Sequence, residues 1–307
     1  MWLTLAVAIP VLGSLLVALF GANNPAVARR TAVILGLATL FSVLKLVLLD
    51  AGASPVEVLV QLPLGFDFHL QADYLAVFMA LVSSSISFII ILYSLGYMQH
   101  YKHQPEYFLM VVLFLGGMMG LVFSVSLVWL FVFWEITALC SWRLVGFFRG
   151  EREILKANKT FLVTAFGALC LLLGIVAVYC ATGTVDMLSL RGQLLPGYVV
   201  ALFLLGIFSK SATLPLSTWL PDAGVAPSPV TALLHAAVLV KIGVYAYARL
   251  FLVTFQIGTE WNTIVAIVAG VSALISAGAA LTETDIKRII AYSTISQIGF
   301  IFLGLAT

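Results

Sequence analysis

Charge is what this chain has least of. Only 9% of its 307 residues are charged while 63% are hydrophobic, and a soluble domain carries roughly 25% charged residues. That balance excludes a soluble globular fold and makes the chain an all-α polytopic membrane protein. Its 15 basic and 13 acidic residues leave a net charge of +2, which is no footprint for nucleic acid. Cysteine is scarce too: Cys140, Cys170 and Cys180 all lie in apolar runs, with no CxxC and no Cys/His cluster. That spacing argues against disulfides, zinc and iron–sulfur ligation. No glycine-rich nucleotide motif is present. Of four histidines only His235 sits at membrane depth, so a bis-histidine haem has no pair. We therefore expect no catalytic residue, cofactor or metal, and no redox chemistry within this chain. The first twenty residues also lack the basic start of a signal peptide, and read as a first membrane helix.

What the chain has instead is long apolar runs. A span needs roughly 20 apolar residues, which predicts ten helices, at about 2–21, 30–49, 73–97, 107–125, 127–148, 158–181, 196–213, 228–252, 262–282 and 287–306. Between the second and third lies a long acidic loop with Asp50, Glu57, Asp67 and Asp73, and VEVLVQLPLGFDFHL within it alternates as a short strand or hairpin would. Val185–Arg191 reads as a brief interfacial helix. Arg29 and Arg30, Lys102, Arg149, Arg152, Lys156, Lys159, Lys287 and Arg288 occupy alternate loops. The positive-inside rule makes those loops cytoplasmic and leaves the N-terminus outside.

Ionisable residues inside these runs carry the functional signal, because a charge at membrane depth is costly unless paired or hydrated. In Leu205–Arg249, Lys210, His235 and Lys241 stand in apolar sequence, with Pro215, Pro221, Pro227 and Pro229 between the first and the other two. Pro215 follows Lys210 by five residues, and its missing N–H and ring clash predict a broken helix there. Broken backbone survives in a membrane only where protein buries it or it lines a watery cavity. Glu135 sits near the middle of its span, where a lone carboxylate must be protonated or paired. Lys210 is its natural partner, and moving the carboxylate away would release the lysine's proton. A static Glu135–Lys210 pair that merely locks helices is the competing reading. His235 serves either packing or proton relay. Lys241, six residues on, points to a different part of the helix surface. Arg143 and Lys45 lie near helix ends, where snorkelling accounts for them. His100, His103, Lys102 and Glu106 read as a solvated face, and Asp222 as part of a loop that could bond a freed helix end. Ser293, Thr294, Ser296 and Gln297 would line the bundle interior or bond between helices.

The stretches LYSLGYM, FWEITALCSWRLVGF, KSATLPLSTWLPDA, APSPVTALLHAAVLVKIGVYAYAR and TDIKRIIAYSTISQIGF resemble a known family. It comprises the antiporter-like subunits of respiratory complex I, of Mrp cation/proton antiporters and of energy-converting hydrogenases, and the likeness is to its large-subunit type. The matching stretches run from about Asp73 to the end. The resemblance implies two inverted five-helix repeats, each with a discontinuous helix and a half-channel. Carried over by motif, Glu135 is the family glutamate in FWE, Lys210 the broken-helix lysine in KSA and His235 the histidine in ALLHAA. Lys241 is a lysine of the Mrp-like and hydrogenase-like members. Arg143 departs from the pattern, standing where the family has an apolar or aromatic residue. The implied organisation is residues 1–72 as N-terminal helices and external loop, 73–252 as a proton-translocating repeat, and 253–307 as the first helices of a second, incomplete repeat. We expect a partner chain to supply the missing half-channel, other membrane subunits around it, and a hydrophilic redox arm if the parent is an oxidoreductase.

Two functions remain open from sequence. One is a proton-translocating or Na⁺/H⁺-exchanging subunit in a prokaryotic cell membrane, using Glu135, Lys210, His235 and Lys241. The other is a scaffold subunit of such a complex without its own ion pathway.

Overall fold

The computed structural model describes residues 1–21, 24–48, 56–60 and 66–307; Asp50 and residues 61–65 of the hairpin reading lie outside them. Two compact units divide the chain, Met1–Leu144 and Val145–Thr307.

The first unit holds α1 (Trp2–Gly21), α2 (Pro25–Leu48), α3 (Tyr74–Tyr97), α4 (Gln104–Phe123) and most of α5 (Leu127–Val145). A short antiparallel pair, β1 (Glu57–Val60) with β2 (Phe68–Leu70), sits between α2 and α3, as the alternation predicts. The Glu57 carboxylate accepts from the Met1 amine and the Thr4 hydroxyl, tying the hairpin to α1. Trp129 Nε1 donates to the Phe66 carbonyl at 2.9 Å, holding the loop's return to the start of α5. Asp73 caps α3, accepting from the Ala76 N–H at 2.9 Å, which satisfies one of the orphan donors at a helix start. Between α4 and α5 the close approach depends on Gly120, where an added Cβ would lie 2.4 Å from the Phe133 ring. That packing fixes the helix that carries Glu135.

The second unit opens on α6 (Glu151–Thr182), a 32-residue helix that begins seven residues earlier than its apolar run. Glu151 and Glu153 in its first turn complement the positive end of the helix dipole, so the charged segment is helical as well. Then come α7 (Gly197–Lys210), the four-residue α8 (Trp219–Asp222), a 3₁₀ turn at Ala223–Val225 and α9 (Ser228–Ala232). A π-helical turn at Leu233–Ala237 leads into α10 (Leu239–Tyr247), and a second one covers Ala248–Thr254. A two-residue parallel pair, β3 (Gln193–Leu194) with β4 (Phe255–Gln256), precedes the hairpin of α11 (Thr259–Thr282) and α12 (Ile286–Ala306).

Among the described residues nine helices are long and apolar enough to cross a membrane, and α7 is a shorter apolar helix. All ten apolar runs are thus helical, and the chain is a multi-pass integral membrane protein. Two expected elements differ: the helix expected over 228–252 is interrupted at Val238, and Val185–Arg191 forms turns rather than a helix. The Asp186 carboxylate accepts from the N–H groups of Leu188 (3.1 Å) and Ser189 (3.2 Å), as at a helix start. The turn closes once, Leu190 N–H to the Asp186 carbonyl at 3.2 Å, before Gly192 takes φ 77° and its N–H leaves for the Thr254 carbonyl at 2.7 Å.

Candidate functional site

The sequence predicts one helix break beside Lys210, and the structure shows how that break and a second one before Lys241 are built. α7 has 14 residues, which at 1.5 Å per residue is about 21 Å, short of the roughly 30 Å hydrocarbon core. Lys210 is its last residue and is 0% exposed. Beyond it Ala212 takes a left-handed conformation, φ 53°. The Thr213 N–H reaches the Phe208 carbonyl at 2.9 Å, and the Ala212 N–H reaches that of Ser209 at 3.4 Å. This is a Schellman cap with alanine where glycine is usual. Side chains reinforce it: Trp219 Nε1 donates to the Ser209 carbonyl (2.8 Å) and Ser211 Oγ to that of Ile207 (2.8 Å), while Ser272 Oγ accepts the Leu214 N–H that follows the cap (3.2 Å). Pro215 lies inside the eight-residue break between α7 and α8. The partial negative charge at the C-terminal end of α7 favours an ammonium at that spot.

A second break lies in what the sequence reads as one continuous helix over 228–252. The backbone leaves helical geometry at Val238 (φ −137°, ψ −56°) after the π turn. Lys241 Nζ donates to the His235 carbonyl at 2.8 Å. Helical spacing would keep these residues on different faces, but the break at Val238 resets the register, so the ammonium meets a carbonyl that the π turn has freed. The His235 ring is 1% exposed, and neither ring nitrogen has a hydrogen-bond partner among the described residues. His235 and Lys241 face a crevice of about 340 Å³, walled on the other side by Ser293, Thr294 and Gln297 of α12 and by isoleucines. Of the four α12 polar residues only Ser296 lies in the bundle interior, 5% exposed; Ser293 and Gln297 are exposed and Thr294 half-buried at the open crevice.

α10 presses on the first break through Gly243. An added Cβ there would lie 1.9 Å from Ser211 Oγ and 2.7 Å from the Ile207 carbonyl. Only hydrogen fits, so the element carrying Lys241 is seated against the end of the helix carrying Lys210. In the other unit Glu135 lies half-buried in mid-α5, flanked by the buried Trp134 and Thr137.

Several charged residues do more than the sequence suggests. Arg143 does not simply snorkel: its Nε pairs with the carboxylate of Glu106, which sits in the first turn of α4 rather than on a solvated loop. Lys45 stays at a helix end, its ammonium 5.3 Å from the Phe41 ring centre. Arg249 is 4% exposed, donates to the Tyr245 hydroxyl at 2.9 Å and lies over that ring. It was legible only as a helix-end charge, although a tyrosine four residues back was a usable sign.

Asp222 carries a double clasp, with Lys156 Nζ at 3.0 Å and Lys159 Nζ at 2.7 Å. Lys287 Nζ donates to the carbonyls of Gly224 (3.2 Å) and Ala226 (2.8 Å) beside it. Burial alone would raise the Asp222 carboxyl, but hydrogen bonds from Lys159 and Lys156 outweigh it and hold the group below the ordinary 3.8. A depressed folded value means the stabilisation is complete above the unfolded value and fades as pH falls through the folded one. Both pairs are partly exposed, which limits their joint worth to about 1 kcal/mol. Asp222→Asn should therefore lower the thermal midpoint by about 2 °C at pH 7, read from tryptophan fluorescence with Trp219 alongside. The difference from wild type should shrink on acidification below about pH 4.

The fold and site together define a polytopic membrane protein with one buried and one half-buried lysine at interrupted helices. The family described as NADH:quinone oxidoreductase/Mrp antiporter, TM, matches residues 124–307, and this chain belongs to it. The family described as NADH-Ubiquinone oxidoreductase (complex I), chain 5 N-terminus, matches residues 61–108. NAD(P)H-quinone oxidoreductase chain 5 of Synechocystis sp. is 37% identical over 255 residues, 78% of this chain and 37% of that protein. An Na(+)/H(+) antiporter subunit of Alkalihalophilus pseudofirmus is 37% identical over 257 residues, 80% of this chain and 32% of that one. The solved Mrp complex from Dietzia sp. contains a chain with TM-score 0.83 and 31% identity, covering 100% of this chain and 34% of its own. An archaeal membrane-bound sulfane sulfur reductase aligns with TM-score 0.90 over 99% of this chain and 64% of its own, at 24% identity, a likeness of fold. The chain spans about a third of the length of the curated relatives it matches.

Proposed function

We propose that this chain is a proton-translocating subunit of a multi-subunit membrane complex of the oxidoreductase or Mrp type. The observation that carries the reading is the pair of lysines at helix breaks: Lys210, fully buried at the end of a helix too short to span, and Lys241 at a mainly apolar crevice that also holds His235, Ser293, Thr294 and Gln297. A permanent structural cation needs no interrupted helix beside it, whereas a group that takes up and releases a proton needs a route for water. In this reading protons pass through Glu135, Lys210, His235 and Lys241, with Pro215 inside the discontinuity. The crevice supplies groups that exchange protons: an ammonium, an imidazole, two hydroxyls and an amide. Among the described residues no three carboxylate, histidine or cysteine side chains converge, and a dehydrated sodium ion wants several oxygens; protons fit better. Residues 73–252 would form the translocating repeat and 253–307 the start of a second. The N-terminus would lie outside a prokaryotic cell membrane, by the distribution of basic loops. Other membrane subunits, one of them completing the second half-channel, would surround it.

Native purification from the source membrane, with mass spectrometry of co-migrating chains, tests the assembly. Reconstituting that assembly with a pH-sensitive dye tests the flux. Dye quenching that responds to a protonophore and not to sodium is the expected result. Intact assembly without any flux would favour the scaffold reading.

A further inference from the structure

At the N-terminal end of α2, a groove of about 510 Å³ is lined by Ala26, Arg29, Arg30, Val33, Ile34 and Leu95. Its wall is apolar except for the two guanidinium groups. Neither arginine meets a carboxylate among the described residues, whereas Arg143 and Lys156 do. The first turn of α2 has no acidic residue, and the Asn24 side chain already accepts from the N–H groups of Ala26 and Val27. Two fixed positive charges are therefore left unneutralised at the end of a membrane helix, beside an apolar slot.

We propose that this groove binds one anionic phospholipid, its phosphate held by Arg29 and Arg30 and one acyl chain lying along Val33 and Ile34. Charge complementarity selects the occupant. Guanidinium groups bond phosphate oxygens through a planar fork, and basic pockets between membrane helices recognise acidic headgroups. The spacing suits an amphiphile: Val33 and Ile34 lie four residues beyond Arg29 and Arg30, one turn deeper along the same face. The apolar track continues outward through Ile34, Leu37 and Phe41, exposed by 65%, 52% and 50%. An apolar helix of a partner protein would cover that track and still leave both arginines without an anion. The site lies outside the proton path, so its fate is independent of the transport reading.

The test is native mass spectrometry of the full chain, purified with its accompanying subunits and offered phosphatidylglycerol, phosphatidylcholine or inorganic phosphate. One phosphatidylglycerol should stay bound to wild type. The Arg29→Gln/Arg30→Gln variant should retain it about thirtyfold less, since each of the two basic residues contributes about 1 kcal/mol. Val33→Trp, which fills the slot and keeps both charges, should lose it likewise. Phosphatidylcholine should not be retained, and millimolar inorganic phosphate should not displace the lipid. Equal retention of the two lipids, or retention unchanged in both variants, would overturn the proposal. So would displacement by phosphate alone, which marks a simple anion site, or cross-links from position 34 to another protein of the complex.

Discussion

Lys210→Ala is expected to reduce proton transport by the assembled complex to the level of empty vesicles. Assembly, judged by native gel migration, should survive. The side chain is fully buried, and alanine removes the ionisable group at the end of α7 while leaving the Schellman cap, which is made of backbone groups. Arginine at this position makes the sharper test. Arg keeps a positive charge and never gives up its proton at accessible pH. A static pair with Glu135 tolerates arginine; a relay does not. Lys210→Arg should therefore be as inactive as Lys210→Ala, and Glu135→Ala should also abolish transport. Normal pumping by both alanine variants would leave only a helix-locking role for these charges.

The second large effect is expected at Lys241. Lys241→Met keeps the length of the side chain and removes the ammonium, so the His235 carbonyl loses its 2.8 Å donor. An orphaned buried acceptor costs about 1–3 kcal/mol, at a break otherwise held by the Val238 N–H on the Leu233 carbonyl and the Ile242 N–H on the Val238 carbonyl, both at 3.1 Å. Transport should fall at least tenfold. Hydrogen exchange of backbone amides over 233–241 should rise at the same time, a local loosening that the loss of a remote proton carrier would not produce. His235→Gln separates the two roles, because it keeps the backbone carbonyl while removing the ring. If His235→Gln transports normally and Lys241→Met does not, the ring is packing and the carbonyl is its functional atom. If Lys241→Met leaves both flux and exchange unchanged, the crevice lies off the path.

Much of this architecture can be read from residues. Every apolar run long enough to span is a helix, because ten stretches of this composition have no other stable state in a bilayer. The first break was legible because Pro215 cannot continue a helix, and Lys210 five residues before it is a charge that needs a partner or water at membrane depth. The second was not. LLHAAVLVK contains neither proline nor glycine, so its interruption at Val238 has no local signature. The same holds for Asp222 and its two lysines, 63 and 66 residues apart. Lys156 and Lys159 read in sequence only as charges that orient a helix. Arg143 and Glu106, 37 residues apart, were hidden likewise.

The shortness of α7 has an electrical consequence. A helix of about 21 Å that ends in a buried lysine places that group part-way across an insulator of about 30 Å. Moving one elementary charge through the whole membrane voltage involves about 2.3 kcal/mol per 100 mV. On the proposed path, a proton reaching Lys210 would cross only part of that drop, and a proton leaving it toward the other face would cross the remainder. The length of one helix would thus divide the voltage between loading and unloading. Occupancy of Lys210 would then track the membrane potential even if no segment of the protein moved.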